Sequence, residues 1–235
     1  MERTHEKKNF FTIVVAMSMI AMTACAAATP TSIATTAPNN NSTDQTAPPA
    51  SVSTATNAAP PTASSNIDTS TLACGNGSQS ATVTPELTEG PYFTANSPQR
   101  ASLLEDGMVG TKLVITGYVY TTDCQPVANA LLDFWQADAN GVYDNSGYNF
   151  RGHQFTDANG YYQLTTVVPG IYTGRTEHIH VKVQAPNGKL ITSQLFFPGV
   201  AENDTDRIFD QGLLLAIQES SDGQQAQFNF VVPAP

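Results

Sequence analysis

Positive charge is scarce in this sequence. Its 235 residues include 10 Lys and Arg against 20 Asp and Glu, which gives a formal net charge of −10. Proteins that bind nucleic acids carry basic patches that neutralise phosphates. The charge balance therefore argues against a nucleic-acid partner.

Long apolar runs are also missing. The apolar stretch at 10–21 is too short for a transmembrane helix. It follows Arg3, Lys7 and Lys8 and precedes small residues, so we interpret 1–24 as a secretory signal peptide. The sequence Met-Thr-Ala-Cys at 22–25 resembles the bacterial lipoprotein box, which predicts lipidation at Cys25. The protein is then exported and lipid-anchored on the extracytoplasmic side of a bacterial membrane or cell surface. An ordinary signal peptide with an incidental cysteine is the alternative.

Aromatic residues are absent between residues 26 and 73. This stretch consists almost entirely of Ala, Thr, Pro, Ser and Asn, and Asp44 and Asp68 are its only charged residues. Such a segment cannot bury enough apolar surface to offset chain entropy. We therefore interpret 25–73 as the lipidated cysteine followed by a disordered linker.

The remaining residues, 74–235, contain the single Trp, all eight Tyr and a net charge of −9. They are numerous enough for one domain with a real core. Cysteines are few, and if Cys25 is acylated an even pair remains. Exported proteins fold in an oxidising compartment where disulfides are stable, so we predict a Cys74–Cys124 bridge. Two buried thiols are the alternative.

The domain is predicted to be all-β. Short apolar runs alternate with turn residues, and no long stretch has the 3.6-residue period of a helix. This pattern indicates an antiparallel β-sandwich. Segment 213–217 could be a strand or a helical turn. The predicted strands are 113–120, 130–135, 154–156, 161–168, 178–185, 191–197 and 227–232.

The strand at 178–185 carries the first sign of a metal site. His178 and His180 are two residues apart, so their side chains leave the same face of the strand, with Cα atoms about 6.6 Å apart. Two imidazoles at that spacing can bind one ion. A solvated polar face with two incidental histidines explains the same pattern.

Residue types alone leave the metal undecided. Zinc would need a further ligand such as His153, and a 2-His-1-carboxylate iron site would need a carboxylate such as Glu177 or Asp157. Glu177 adjoins His178 and should point to the opposite face. Phenolate is a hard anionic donor that favours a trivalent ion. Candidate donors are Tyr143 and Tyr148, in the loop after Trp135, and Tyr172, just before the histidine strand.

Several motifs occur in a fixed order along the predicted domain. They are TEGPYF at 88–93, WQAD at 135–138, GVY at 141–143, PGIY at 169–172, RTEHIH at 175–180 and TSQLFF at 192–197. Together they resemble the intradiol ring-cleavage dioxygenases, and most closely their exported single-domain relatives. The similarity runs from about residue 87 to residue 197, most of the predicted domain.

The resemblance implies a non-haem Fe(III) cofactor with four protein ligands. Position by position, these correspond to Tyr143, Tyr172, His178 and His180. Two anionic phenolates would offset the charge of the ion and keep it oxidised. Its partners would then be a catechol-type substrate and O₂.

Further site residues follow from the same resemblance. Arg175 corresponds to an arginine that stabilises developing negative charge, and Gln194 to a glutamine near the metal ligands, so both are predicted catalytic residues along with Tyr143. Tyr92 resembles a residue of the substrate-pocket wall. Other nearby residues receive no chemical role: Trp135 is expected to pack beneath the site, Tyr148 to lie in a loop, and His153 to be structural or to lie at the rim.

The implied reaction cleaves a catechol-type ring between its two hydroxyl-bearing carbons and gives a cis,cis-muconate-type product. Glu177 replaces an uncharged residue of the family, so we expect neutral diphenols to be preferred over carboxylated ones. Only two residues separate Tyr172 from Arg175, where the cytosolic members of the family have a longer loop, and this predicts an open pocket. The oligomeric state stays undetermined. The alternative function is a non-catalytic extracytoplasmic module that binds a metal or a polymer.

Overall fold

Residues 67–68, 70–75, 77–172 and 174–233 are described by the structure, a computed structural model. The predicted leader, Cys25 and nearly all of the predicted linker lie outside these residues. None of the helices in the described part of the chain has the length and apolar character to cross a membrane.

The described residues form nine strands and two short 3-10 helices, so the predicted all-β class is confirmed. The helices are η1 (Ala201–Asp204) and η2 (Gln211–Leu213). The strands are β1 (Lys112–Thr121), β2 (Leu131–Trp135), β3 (Arg151–Phe155), β4 (Tyr161–Val167), β5 (His178–Gln184), β6 (Ile191–Phe196), β7 (Ala216–Ser220), β8 (Gly223–Gln227) and β9 (Phe230–Val232).

The strands form two sheets. One has the order β3-β2-β5-β6 and is antiparallel throughout, and the other has the order β4-β1-β8-β7, with β9 also paired to β1. Alternate residues of β1, β4, β2 and β5 meet in one apolar core between the sheets. Leu113, Ile115, Phe134, Ile179 and Val181 are completely buried there. This packing confirms the predicted sandwich.

Two strand pairs depart from the predicted antiparallel arrangement. Strand β1 pairs antiparallel with β4, but it pairs parallel with β8 and β9. Residue alternation sets which face of a strand is buried, whereas the direction of its neighbour depends on how the whole chain folds back.

Two predicted segments are divided in the structure. Segment 213–217 splits between the end of η2 and the start of β7, and segment 227–232 splits between β8 and β9. The second break lies where the Phe228 carbonyl oxygen packs on Gly117. A Cβ atom on residue 117 would lie 1.8 Å from that oxygen, so only glycine fits there. The Asn229 side chain there accepts the hydrogen bond of the Tyr118 amide.

The predicted disulfide is present. Cys74 and Cys124 are bonded, and their Cα atoms lie 5.3 Å apart. The bridge joins the segment before the first strand to the turn that follows β1, across 50 residues of sequence. It therefore attaches the beginning of the described chain to the five-stranded sheet.

This bridge predicts a thiol count and a stability change. In a Cys25→Ser variant, the unfolded protein should show no reactive thiol before reduction, and should show both Cys74 and Cys124 after it. Reduction should lower the free energy of unfolding by roughly 4 kcal/mol, because it removes a loop constraint from the unfolded chain. Thiol titration and urea unfolding measure the two quantities. Two reactive thiols before reduction would contradict the bridge.

Candidate metal centre

Strand β5 places His178 and His180 on one face, as predicted. Their exposed fractions are 3% and 1%, so the solvated-face alternative is wrong for this end of the strand. The two Nε2 atoms lie 3.1 Å apart. Two imidazoles thus direct their outer nitrogens at the same small volume inside the protein.

The surroundings of His178 fix its orientation. Its Nδ1 lies 2.7 Å from the Thr176 carbonyl oxygen and donates a hydrogen bond to it. In a neutral imidazole the Nε2 atom is then an acceptor. Burial, with a smaller contribution from the positive charge of Arg175, lowers the pKa of His178 to about 4. The ring is therefore neutral at physiological pH, as metal ligation requires.

His180 is oriented by stacking. Its ring lies parallel to the Trp135 indole, with centroids 4.8 Å apart and 9° between the planes. Trp135 packs beneath the site, as predicted. Burial and the neighbouring His178 lower the pKa of His180 as well. Its Nδ1 has no hydrogen-bond partner among the described residues, so stacking on Trp135 is the contact that holds the ring.

Tyr143 reaches the same volume from the loop between β2 and β3. Its hydroxyl oxygen lies 3.5 Å from His178 Nε2, and the residue is 7% exposed. The turn before it depends on Gly141, whose φ is +79° and whose position would place a Cβ 2.3 Å from the Ile171 carbonyl oxygen. Any larger residue would push this loop away from the loop that carries Tyr172.

Tyr172 is the fourth ligand-type side chain, in the loop between β4 and β5. Its ring centroid lies 5.7 Å from that of Tyr143 and 5.6 Å from that of His178. The two tyrosine loops are joined directly, because the Gly170 amide donates to the Asp138 carbonyl oxygen at 2.8 Å. The structure thus brings all four predicted ligands together.

Tyr92, the predicted residue of the pocket wall, packs against this group. Its ring stacks on Tyr143 with centroids 4.3 Å apart and meets Tyr172 edge-on at 6.1 Å. It is half-buried. An aromatic wall beside a polar centre suits a planar ring with polar substituents.

Arg175 and Gln194 form a polar layer behind Tyr172. The Arg175 Nη1 atom lies 3.5 Å from the Tyr172 hydroxyl oxygen, and Nη2 donates to the Gln194 side-chain oxygen. The Gln194 amide nitrogen in turn donates to the Thr88 carbonyl oxygen at 2.9 Å. Both residues are therefore beside the centre, and a positive charge faces a candidate ligand.

Asp206 is a site residue that sequence reasoning missed. Its carboxylate forms an ion pair with Arg175 Nε at 2.9 Å and is 1% exposed. The same oxygen accepts the Thr176 amide at 3.0 Å. Burial alone would raise the pKa of Asp206, but hydrogen bonds from the Ile208 and Thr176 amides and from Arg175 outweigh it and lower the pKa. No motif marks this residue, which lies in a loop far along the chain.

Other candidate residues lie apart from the centre. Tyr148 lies in the loop between β2 and β3, as predicted, and its hydroxyl donates to the Ala95 carbonyl oxygen. His153 Nδ1 lies 2.7 Å from the Ser97 carbonyl oxygen, a structural contact. Glu177 lines a separate cavity of about 280 Å³ with Phe197 and Glu219. Among the described residues, no three His, Cys, Asp or Glu side chains group together as metal ligands. The carboxylate and zinc alternatives therefore lack support.

The donor set suits a highly charged, hard cation. Burial, with the neighbouring Tyr172, raises the pKa of the Tyr143 phenol, and burial raises that of Tyr172. Both phenols are therefore protonated at neutral pH unless a cation stabilises their ionised form. Two neutral imidazole nitrogens and two phenol oxygens would provide a trivalent ion with two anionic and two neutral ligands.

The chain is similar to known dioxygenases. The family model described as Dioxygenase matches residues 88–233. Catechol 1,2-dioxygenase of Acinetobacter baylyi is 26% identical over 63% of this chain and 58% of the relative. Catechol 1,2-dioxygenase 2 of Acinetobacter lwoffii is 34% identical over 49% of this chain and 52% of the relative. The chain thus spans little more than half the length of these curated relatives.

The solved structures to which the chain is similar also include dioxygenases. The dioxygenase domain of a dioxygenase–carbohydrate-binding protein fusion from the cellulolytic bacterium Streptomyces sp. SirexAA-E is 48% identical. The match has a TM-score of 0.64 and covers 66% of this chain and 100% of that one. An intradiol ring-cleavage dioxygenase from Tetranychus urticae is 25% identical with a TM-score of 0.60, over 65% and 95% of the two chains.

The Arg175–Asp206 pair predicts a pH-dependent loss of stability. Asp206→Asn should lower the free energy of unfolding by about 2 kcal/mol at pH 7, because it leaves a mostly buried guanidinium without its counter-charge. The carboxylate has a depressed pKa, so its contribution is complete above the unfolded value of 3.8 and is lost as the pH falls through the lower folded value. The difference between wild type and variant should therefore shrink in acid.

The exposed Lys112–Asp222 pair provides a matched control. Its aspartate side chain is 79% exposed, so Asp222→Asn should change stability by less than about 0.5 kcal/mol. Urea unfolding at pH 7 and at pH 3 measures both variants. Equal effects of the two substitutions at pH 7 would show that Asp206 is not a buried partner of Arg175.

Proposed function

Because the chain belongs to the intradiol ring-cleavage dioxygenase family, we propose that it is a non-haem Fe(III) enzyme that cleaves a catechol-type ring. Cleavage occurs between the two hydroxyl-bearing carbons, uses O₂ and gives a cis,cis-muconate-type product. The observation that carries this proposal is the convergence of two imidazole nitrogens and two phenols on one buried volume.

The proposed iron ligands are Tyr143, Tyr172, His178 and His180. The donor chemistry supports ferric iron, because anionic phenolates stabilise a trivalent ion and neutral imidazoles complete the set without further charge. When bound, the ion acts as a Lewis acid toward the vicinal hydroxyls of the substrate and makes the ring reactive toward O₂.

Tyr143 is proposed to move a proton. Burial and the nearby Tyr172 raise the pKa of its phenol, so a Tyr143 phenolate that a bound cation no longer stabilised would be a strong base. Such a phenolate can accept a proton from a substrate hydroxyl at the same place. Tyr143 would thus serve both as a ligand and as the base that ionises the substrate.

Arg175 is proposed to stabilise negative charge on the reacting ring. Its guanidinium is held on one side by the Asp206 carboxylate and on another by Gln194. A positive charge fixed in this way needs no reorganisation during the reaction, which is the condition for effective electrostatic stabilisation. Tyr92 would line the pocket and help to exclude water.

The expected preference for neutral diphenols loses its original basis. Glu177 faces the cavity formed with Phe197 and Glu219, and none of the four candidate ligands lines that cavity. Relatives bear the names catechol, chlorocatechol, hydroxyquinol and protocatechuate dioxygenase. We therefore propose a catechol-type substrate without specifying its ring substituents.

The proposed activity can be tested on the iron-loaded protein with catechol, hydroxyquinol and protocatechuate. At least one substrate should consume one equivalent of O₂ and give the absorbance of a muconate. The protein should also absorb visible light through charge transfer from tyrosinate to iron. Tyr172→Phe should bleach or shift this band and reduce turnover at least about 100-fold, since loss of outer contacts to a metal site alone costs 10–100-fold.

Tyr148→Phe is the matched control, because the hydroxyl that it removes donates to the Ala95 carbonyl oxygen and to none of the four proposed ligands, so both signals should be unchanged. A colourless protein that binds no iron and consumes no O₂ would contradict the proposal and favour the non-catalytic binding module. An unchanged spectrum in Tyr172→Phe would show that a different tyrosine binds the metal.

We also propose that the protein is exported and anchored by lipid at Cys25. The leader features of the sequence support this location, and a disulfide between Cys74 and Cys124 suits an oxidising compartment. Cys25→Ser should move the protein from the membrane fraction to the soluble fraction of cells that express it. Unchanged partitioning after cell fractionation would contradict lipidation at this residue.

A further inference from the structure

The outer face of the five-stranded sheet has an unusual composition. In β1, Leu113, Ile115 and Val119 point into the core, so Thr116 and Tyr118 point outward. Outward residues of β4 and β8 lie directly beside them in register. This outer face belongs to the sheet that does not carry the histidines, so it is separate from the candidate metal centre.

Three tyrosines form a contiguous patch on this face. Tyr118 is directly opposite Tyr161 in the β1–β4 pair, and Tyr120 follows on the same side of β1. The Tyr118 ring centroid lies 5.7 Å from that of Tyr120 and 5.6 Å from that of Tyr161. Tyr118 is 37% exposed, and the other two are half-buried against it.

Glutamines continue the patch across the sheet. Gln163 and Gln227 flank Thr116 on its two sides, and Gln225 lies one row further along beside Val114. All are exposed or half-buried. We call this surface of Tyr118, Tyr120, Tyr161, Gln163, Gln225 and Gln227 the tyrosine–glutamine face.

The tyrosine–glutamine face carries no charge, although 74–235 has a net charge of −9. Charged residues adjoin the face only as hydrogen-bonded or paired groups: the Asp157 carboxylate accepts the Tyr161 backbone amide, and Lys112 at the start of β1 is paired with Asp222. A nucleic acid or another polyanion would find no cation here. Aromatic rings beside neutral amides instead match a ligand with apolar faces and many hydroxyl groups.

We propose that the tyrosine–glutamine face binds a neutral polysaccharide. The tyrosine rings would stack on the C–H faces of pyranose rings, while glutamine amides both donate to and accept from sugar hydroxyls. A neutral polymer loses no ionic hydration on contact with an uncharged surface. Its residues lie in rows along three adjacent strands, which suits an extended chain, and binding there would hold the protein on a solid polymer.

The test is sedimentation of the purified full chain with insoluble microcrystalline cellulose, chitin and starch. The wild type should bind at least one of these, and Tyr118→Ala/Tyr161→Ala should weaken that binding at least about tenfold, as loss of two aromatic contacts implies. Tyr148→Ala is the matched control: this tyrosine is similarly exposed, at 39%, but lies in a loop outside the face, so its binding should be unchanged.

Gln227→Ala keeps the test decisive if the double variant does not fold, because this substitution leaves the aromatic rings in place and should still weaken binding. A wild type that binds none of the three polymers would overturn the proposal, as would equal binding by all folded variants. A wild-type dimer that the double variant converts to a monomer, without polymer binding, would assign the face to self-association. Oxygen consumption with soluble catechol should be the same in all variants, so this result is independent of the proposed activity.

Discussion

The close packing of two loops against one strand determines the whole centre. Tyr143 and Tyr172 reach the histidines only because Gly141 allows its loop to approach the Ile171 carbonyl oxygen, and because the Gly170 amide binds the Asp138 carbonyl oxygen. In strand β5, side chains two residues apart lie on the same face, and this directs the two imidazoles to the same buried side. The site therefore depends on backbone contacts as much as on the four side chains themselves.

Burial gives these side chains their chemical character. The same apolar surroundings that keep the imidazoles neutral also keep the phenols protonated unless a cation is present. Metal binding at such a site is therefore strongly coupled to loss of the phenol protons. Arg175 adds a positive charge at its edge, and the buried Asp206 keeps that charge fixed in place.

The sequence predicted the four side chains of the candidate metal centre through two different signals, residue alternation along a strand and motifs in the loops. Alternation placed His178 and His180 on one face, and the two tyrosines proposed as ligands followed from ordered motifs. Asp206 could not be predicted, because its partner Arg175 is 31 residues earlier and no periodic pattern marks its loop. The parallel pairing of β1 with β8 and β9 was missed because the alternation of apolar and polar residues along a strand does not indicate the direction of its neighbours.

Anomalous X-ray scattering at the iron edge, measured on crystals of the iron-loaded protein, tests the proposed centre most directly. A single strong peak is expected within bonding distance of His178 Nε2, His180 Nε2 and the hydroxyl oxygens of Tyr143 and Tyr172. A peak elsewhere, or no peak between these four residues in protein that contains iron, would contradict a ferric centre at this place.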